Sequence, residues 1–380
     1  MSDSDATGDA STATRRSYLV AAGGAPAGLA GLAGCLDGGD GGDGGAGDAD
    51  ADGTAAATRD DEKRTDVGST TPDDSESFAD GAEEGWTRAD PPTDAALYDV
   101  VLSREGPYVV GEGGALLARA NGLWELVGQG DVAATSNALY GAALTADRRH
   151  VWFAGDAGAL GVFDLDTLTL RDYSAPMGMT SSWADVAAAG AAGGESVWVA
   201  NGSGQVLRGR LDGVAVDWFD VRKPGAGSSF TAAEFVDADT GFLATGAGTV
   251  FATADGGRNW RRIGIHGAGG ALFDVAAAGP GHVHVAGAGG DIYRYNGRTW
   301  TTLSAGDADV NALVFDADRG GYAVDAAGAV YVYAAGEWDE HARPATDALE
   351  GVAFGTASSP QVAVGDDGTI VERFGATDDG

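Results

Sequence analysis

Leu272-Phe273-Asp274-Val275-Ala276-Ala277, then His282-Val283-His284-Val285-Ala286, then Gly287-Ala288-Gly289-Gly290, Asp291-Ile292-Tyr293-Arg294-Tyr295, Asn296-Gly297 and Trp300-Thr301-Thr302-Leu303 fill residues 272–303. The first run is apolar and short, as a buried strand is. The second alternates with period two, as a half-buried strand does. Gly287–Gly290 is a tight turn, where glycine takes positive φ without steric cost. Asp291–Tyr295 alternates again, Asn296-Gly297 turns, and Trp300 opens a fourth strand. The unit is four strands with a GxxG turn after the second. No run carries a 3.6-residue apolar period long enough for a helix.

Working outward, Gly290 is one of seven glycines in the same setting: Gly114, Gly158, Gly204, Gly248, Gly290, Gly328 and Gly368, spaced by 44, 46, 44, 42, 38 and 40 residues. An aliphatic residue follows two positions later in each (Leu116, Leu160, Val206, Val250, Ile292, Val330, Ile370), and Gly, Asn, Thr or Asp stands three before. A large apolar residue precedes a small or acidic anchor by two positions in every copy: Leu97, Leu139, Trp183, Phe230, Leu272, Val310 and Leu349. Tryptophan is read as opening the fourth strand at Trp124, Trp218, Trp260, Trp300 and Trp338. Four short strands at a period near 42 describe a propeller blade.

The seventh copy has three strands before the chain ends. The missing outer strand is found before the first copy, at Trp86-Thr87-Arg88. Trp86 lies 13 residues ahead of Asp99, much as Trp260 and Trp338 lie 14 and 13 ahead of their anchors. The expectation is an all-β, seven-bladed β-propeller over 85–380, its last blade closed by the N-terminal strand, which removes the open edge.

Residues 1–35 are read as an export signal. Arg15 and Arg16, in Thr14-Arg15-Arg16-Ser17-Tyr18-Leu19, match a twin-arginine signal, and Leu32-Ala33-Gly34-Cys35 matches a lipobox. Cys35 is the only cysteine. The apolar stretch is too short and glycine-rich for a permanent span. Residues 36–84 carry 16 acidic against 3 basic side chains among Gly, Asp, Ala and Ser, the composition of a solvated tether. Its span would be roughly 40 Å. The expectation is export by the twin-arginine pathway and lipid anchoring on the outer face of the cytoplasmic membrane.

Net charge is −34, with −20 left on residues 85–380, and lysine occurs only at Lys63 and Lys223. Such acidity resembles proteins of extreme halophiles, where molar salt shortens the Debye length to about 3 Å. No basic face is visible in the sequence, which argues against nucleic acid as a partner.

Thr253-Ala254-Asp255-Gly256-Gly257-Arg258-Asn259-Trp260 matches the Asp-box, S/T-x-D-x-G-x-x-W. With Val364-Gly365-Asp366-Asp367-Gly368-Thr369-Ile370 and Ala244-Thr245-Gly246-Ala247-Gly248-Thr249-Val250-Phe251, it resembles the BNR/Asp-box propellers. Within these the resemblance is to the photosystem II assembly and stability factor group and its non-photosynthetic relatives. It covers about residues 85–380. The resemblance implies a structural box at Thr253, Asp255, Gly257 and Trp260, with Asp255 accepting backbone N–H bonds and Trp260 packing between blades. The arginine-rich contact patch of that group is not evident in the sequence, and nothing suggests photosynthesis.

Sialidases share the box but need an arginine triad, a Tyr/Glu nucleophile pair and an acidic proton donor. The arginines here fall mainly in outer strands and in loops between first and second strands, and no catalytic residue is assigned. His282 and His284, two apart, are read as a surface strand pair; no metal or cofactor is expected. The GxxG turns lack a following helix and so are not nucleotide cradles.

A binding surface remains. The GxxG turns and the links between blades share one face by fold-level analogy. Tyr98, Tyr140, Phe273 and Glu350, before their anchors, and Arg222 and Lys223, in the Arg222–Ser229 link, are the candidate partner-binding residues; the alternative for the aromatics is that they plug the top of the core. The expected function is a non-enzymatic, monomeric binding or assembly scaffold for a protein partner at the cell surface. The alternative is a glycan-binding or sialidase-like glycoside hydrolase propeller.

Overall fold

A computed structural model describes residues 85–128, 133–225, 227–265 and 268–375. Arg15, Arg16, Cys35 and the acidic tether lie outside them. The described chain forms seven four-stranded antiparallel sheets. In blade 5 the strands are Leu272–Gly279, His282–Gly287, Asp291–Tyr295 and Trp300–Ser304, in order from the inner edge outward. Blade 7 takes Leu349–Ala353, Gln361–Gly365 and Ile370–Arg373 from the C-terminal side and Trp86–Arg88 from the segment that precedes blade 1. Trp86 pairs with Arg373, Thr87 with Glu372 and Arg88 with Val371, as the sequence led one to expect.

The apolar core is divided. Each sheet buries both faces against its neighbours, so the buried residues form seven wedges, one per seam. Val110 and Leu116 of blade 1 meet Leu139, Val151 and Phe153 of blade 2. At the closing seam Val364 and Ile370 of blade 7 meet Val100, Val109 and Leu117 of blade 1. There Glu372 accepts hydrogen bonds at 2.7 Å from Trp124 Nε1 and Arg119 Nε.

The repeating glycine has a physical cause. At Gly290 φ is +78°, and a Cβ would run into the Gly306 carbonyl in the link entering blade 6. Gly289 beside it has φ +66° but faces open space. Blades 2 and 7 place Ala157 and Asp367 at that third turn position, at φ +55° and +52°. Positive φ alone therefore tolerates a side chain here. The close approach of the next link does not.

The anchor positions also have a cause. Every inner strand shifts register between the large apolar residue and the anchor, as between Leu97 and Asp99 or Leu272 and Asp274, so each carries a bulge at one place. In blades 1, 3 and 5 the anchor is Asp99, Asp185 or Asp274. One carboxylate oxygen accepts from the next residue's N–H. The other reaches the following blade, at Ala142 N, Ala233 N and Leu313 N, over 2.8, 2.8 and 2.9 Å. Blades 2, 4, 6 and 7 hold Gly141, Ala232, Ala312 and Gly351 there, with no acceptor to offer. A Cβ on Gly141 would collide with the Asp185 carboxylate.

Two local readings need correction. Trp218 closes its strand, Ala215–Trp218, and Trp260 precedes Arg261–Arg262. The short turn at Gly213-Val214 starts the former early, while the longer Thr253–Trp260 hairpin delays the latter. His282 is exposed, but His284 is 1% exposed and stacks on Phe315 at 4.1 Å, edge-on to Tyr333 and Trp338. The pair is not a surface pair, because both faces of a blade are covered. Burial holds the His284 pKa down at about 4, with Arg294 and His282 adding to the effect.

Candidate functional site

The residue before each anchor occupies the bulge. Tyr98, Tyr140, Ala184, Thr231, Phe273, Asn311 and Glu350 are all buried, none more than 9% exposed. The Tyr98 and Tyr140 rings lie 5.4 Å apart. Asn311 Nδ2 donates to Leu349 O at 3.0 Å and Glu350 Oε1 at 3.3 Å. Tyr98 with Tyr140, and Asn311 with Glu350, thus meet their counterparts in adjacent blades. Further along the blade 4 inner strand, the Glu234 carboxyl is held well above the usual range. Removal from bulk water is the main cause, and Asp274, Asp185 and Asp99 add like charge. Among the described residues no group of three or more His, Cys, Asp or Glu side chains is arranged to hold a metal ion.

Arg222 and Lys223 are exposed and belong to a different region. Arg222 exchanges backbone hydrogen bonds with Val206, so the link continues along the outer edge of blade 3. Arg208 and Arg210 come from the third strand of that blade, Val206–Asp212. Arg258, Arg261 and Arg262 come from the blade 4 hairpin and its outer strand. With Lys223 these make seven of the 18 cations between residues 85 and 375, gathered on two adjacent blades of an acidic molecule. No sequence window announces this, because three separate stretches contribute. Arg208 and Arg210 also lie in a third strand, against the expectation that arginines keep to outer strands and loops.

Three of the arginines, Arg208, Arg222 and Arg258, line a recess of about 150 Å³ walled also by Trp198, Phe219 and Gly257. The Arg208 guanidinium is 5.0 Å from the Phe219 ring centre and 5.7 Å from that of Trp198. It donates to Ser196 Oγ at 3.5 Å, and its buried Nε has no hydrogen-bond partner among the described residues. Burial first, then the like charges of Arg258 and Arg210, lower its pKa, against Asp239 and Asp255. Arg222 Nε donates to Arg258 O at 3.3 Å. The recess has one acidic wall residue, Asp220, mostly exposed and 3.8 Å from Arg222, a pair that solvent screens heavily. Here positive charge exceeds its local partners, and an anionic group would relieve the imbalance.

The Thr253–Trp260 hairpin forms one wall. Asp255 Oδ1 accepts from Asn259 N at 2.8 Å and from Thr253 Oγ1 at 2.9 Å, and Oδ2 accepts from Asn259 Nδ2 at 2.7 Å. The Asn259 backbone bond above all keeps its pKa low. Asp255 is thus an ionised turn-former with no proton to give. Trp260 Nε1 donates to Gly257 O at 3.1 Å, and its ring stands edge-on to Phe235 at 6.0 Å. Thr253 and Gly257 are buried, and Gly257 has φ +83°. On the other side of the hairpin lies an open groove of about 730 Å³, with walls that include Phe242, Ala252, Trp260, Pro280, Tyr295 and Arg261.

No family model matches the sequence, and no curated protein does. Solved structures do match. The structure of U3-55K superposes with a TM-score of 0.64 at 9% identity, covering 76% of this chain and 98% of that one. YCF48 bound to D1 peptide gives 0.59 at 15% identity, covering 77% and 95%. YCF48 from Cyanidioschyzon merolae gives 0.58 at 13%, covering 76% and 98%. The WD40 β-propeller domain of Doa1 gives 0.59 at 15%, covering 77% and 98%. At these identities the likeness establishes the fold: the chain is a seven-bladed β-propeller.

Proposed function

We propose that this protein is a non-enzymatic binding scaffold that holds a protein partner at the outer edge of blades 3 and 4. One observation carries the reading: the Arg208, Arg222 and Arg258 recess, with an unpartnered Nε on Arg208, in a domain of charge −20. A rigid ring with two buried faces per blade presents such a recess without reorganising, which favours binding. One solved propeller of the same fold, YCF48, is bound to a D1 peptide, which supports a peptide as the ligand type without naming this one. Arg222 and Lys223 belong to this surface. Tyr98, Tyr140, Phe273 and Glu350, being buried, would act on it only by holding the ring.

The cellular setting completes the proposal. Arg15 and Arg16 direct export, Cys35 takes the lipid, residues 36–84 act as the tether, and the acidic surface suits molar salt. Proximity labelling or pull-down from cells in molar salt tests the function. The expected result is a reproducible partner released by Arg222→Glu with Arg258→Glu; no partner, or one indifferent to the reversal, refutes it. A Cys35→Ser chain that stays membrane-bound would refute the anchor. A melting temperature equal in molar and millimolar salt would refute the halophilic setting.

A further inference from the structure

The hairpin Thr253–Trp260 separates two recesses of opposite character. Gly257 and Arg258 face the arginine recess, and Ala254, Asn259 and Trp260 face the groove. The groove wall is largely apolar, with Phe242, Ala252, Pro280, Trp260 and Tyr295. Its volume of about 730 Å³ falls in the range of sites that bury a ligand group. Asp255, its one acidic wall residue, has both carboxylate oxygens already engaged by Asn259 and Thr253. Arg261 at the rim adds positive charge.

We infer that the two recesses are a single site for an extended acidic peptide, which crosses the hairpin with a carboxylate among Arg208, Arg222 and Arg258 and an aromatic side chain in the groove. This deepens the scaffold reading above and rests on it. A hairpin with its side chains is about 10 Å across, which an extended chain covers in about three residues at 3.3 Å each. The ligand therefore has an Asp, Glu or terminal carboxylate spaced two to four residues from Phe, Tyr or Trp. One carboxylate suits this site and a polyanion does not, because Arg208, Arg222 and Arg258 line a single recess of about 150 Å³, room for one carboxylate rather than a run of phosphates.

The test is selection of a random dodecapeptide library against the full chain in molar salt, followed by binding of the enriched peptides to variants. The expected consensus is an acidic residue two to four positions from an aromatic one. Replacing either group in an enriched peptide weakens binding tenfold or more. Arg222→Glu with Arg258→Glu abolishes the dependence on the acid. Ala254→Trp, which fills the groove from an exposed position, abolishes the dependence on the aromatic. Enrichment that needs the arginines but shows no spaced aromatic overturns this inference and leaves the scaffold reading standing. Enrichment indifferent to both variants, or none at all, overturns both.

Discussion

The inner edge of the ring and the outer edge of blades 3 and 4 obey different rules. Along the inner edge each blade repeats one device: a bulge, an anchor and a glycine turn seated under the next link. Along the outer edge, Arg208, Arg222 and Arg258 converge once, from three stretches, with no counterpart described in the other blades. The lesson concerns cost and freedom. Inner residues are constrained by neighbours on both sides, so one solution recurs; outer residues face a single neighbour and solvent, so they can specialise.

The contrast can be broken most severely from inside. Gly290→Ala sets a Cβ against the Gly306 carbonyl and should destabilise by about 4 kcal/mol or more, against about 1 kcal/mol for Gly289→Ala at similar φ. Denaturant melts of the two variants decide it; equal losses would show that backbone angle alone demands glycine. Next comes Asp185→Ala. It strands Val186 N and Ala233 N and should lose about 3 kcal/mol, with amide exchange quickening at the blade 3–4 seam. Unchanged protection there would remove the anchor from the inner rule.

Two titrations give opposite signs. His284 is buried neutral with its pKa lowered to about 4. The unfolded chain, at about 6.5, binds the proton more readily, so this stability is present above 6.5 and lost as pH falls toward 4. His284→Phe should flatten that loss, worth on the order of 3 kcal/mol. Asp366, in a blade 7 turn, has its pKa raised to about 6, by burial first and then by Asp367, Asp347 and Glu112. The folded state binds that proton more readily, so stability is gained as pH falls from 6 to 4. Asp366→Asn should stabilise at pH 7.5 by about 2 kcal/mol and bring nothing at pH 4. Melting temperatures across pH 4–8 read both; identical profiles for variants and parent would contradict both assignments. Smallest of all, Arg258→Ala should change stability by less than about 0.5 kcal/mol yet weaken partner capture. A stability loss equal to that of Asp185→Ala would make Arg258 part of the frame.

What could be read from the chain follows the same division. The period was visible because steric exclusion forces glycine at one turn position in every copy, and the anchors because a bulge admits only small or carboxylate residues there. The aromatic positions Tyr98 and Tyr140 were found with two readings, a plug for the top of the core or a ligand contact, and their burial favours the plug; spacing alone does not reveal how far a ring closes over its own centre. The period-two run through His284 could not reveal its surroundings, because a blade is covered on both faces and alternation then carries no inside or outside. The arginine recess was invisible for a third reason. It joins Arg208, Arg222 and Arg258 only through packing between blades, and charge clustering of that kind leaves no local pattern.

Seven is odd, and the carboxylate anchors work in twos. Asp99, Asp185 and Asp274 couple blades 1 with 2, 3 with 4 and 5 with 6, so parity leaves blade 7 over. That remaining sheet is the one closed by Trp86–Arg88, and its seams carry other polar contacts, from Asn311 to Leu349 and Glu350 on one side and from Trp124 and Arg119 to Glu372 on the other. The circle thus has a built-in hasp. Melting of this one sheet would unfasten both ends at once while three coupled doublets stayed shut.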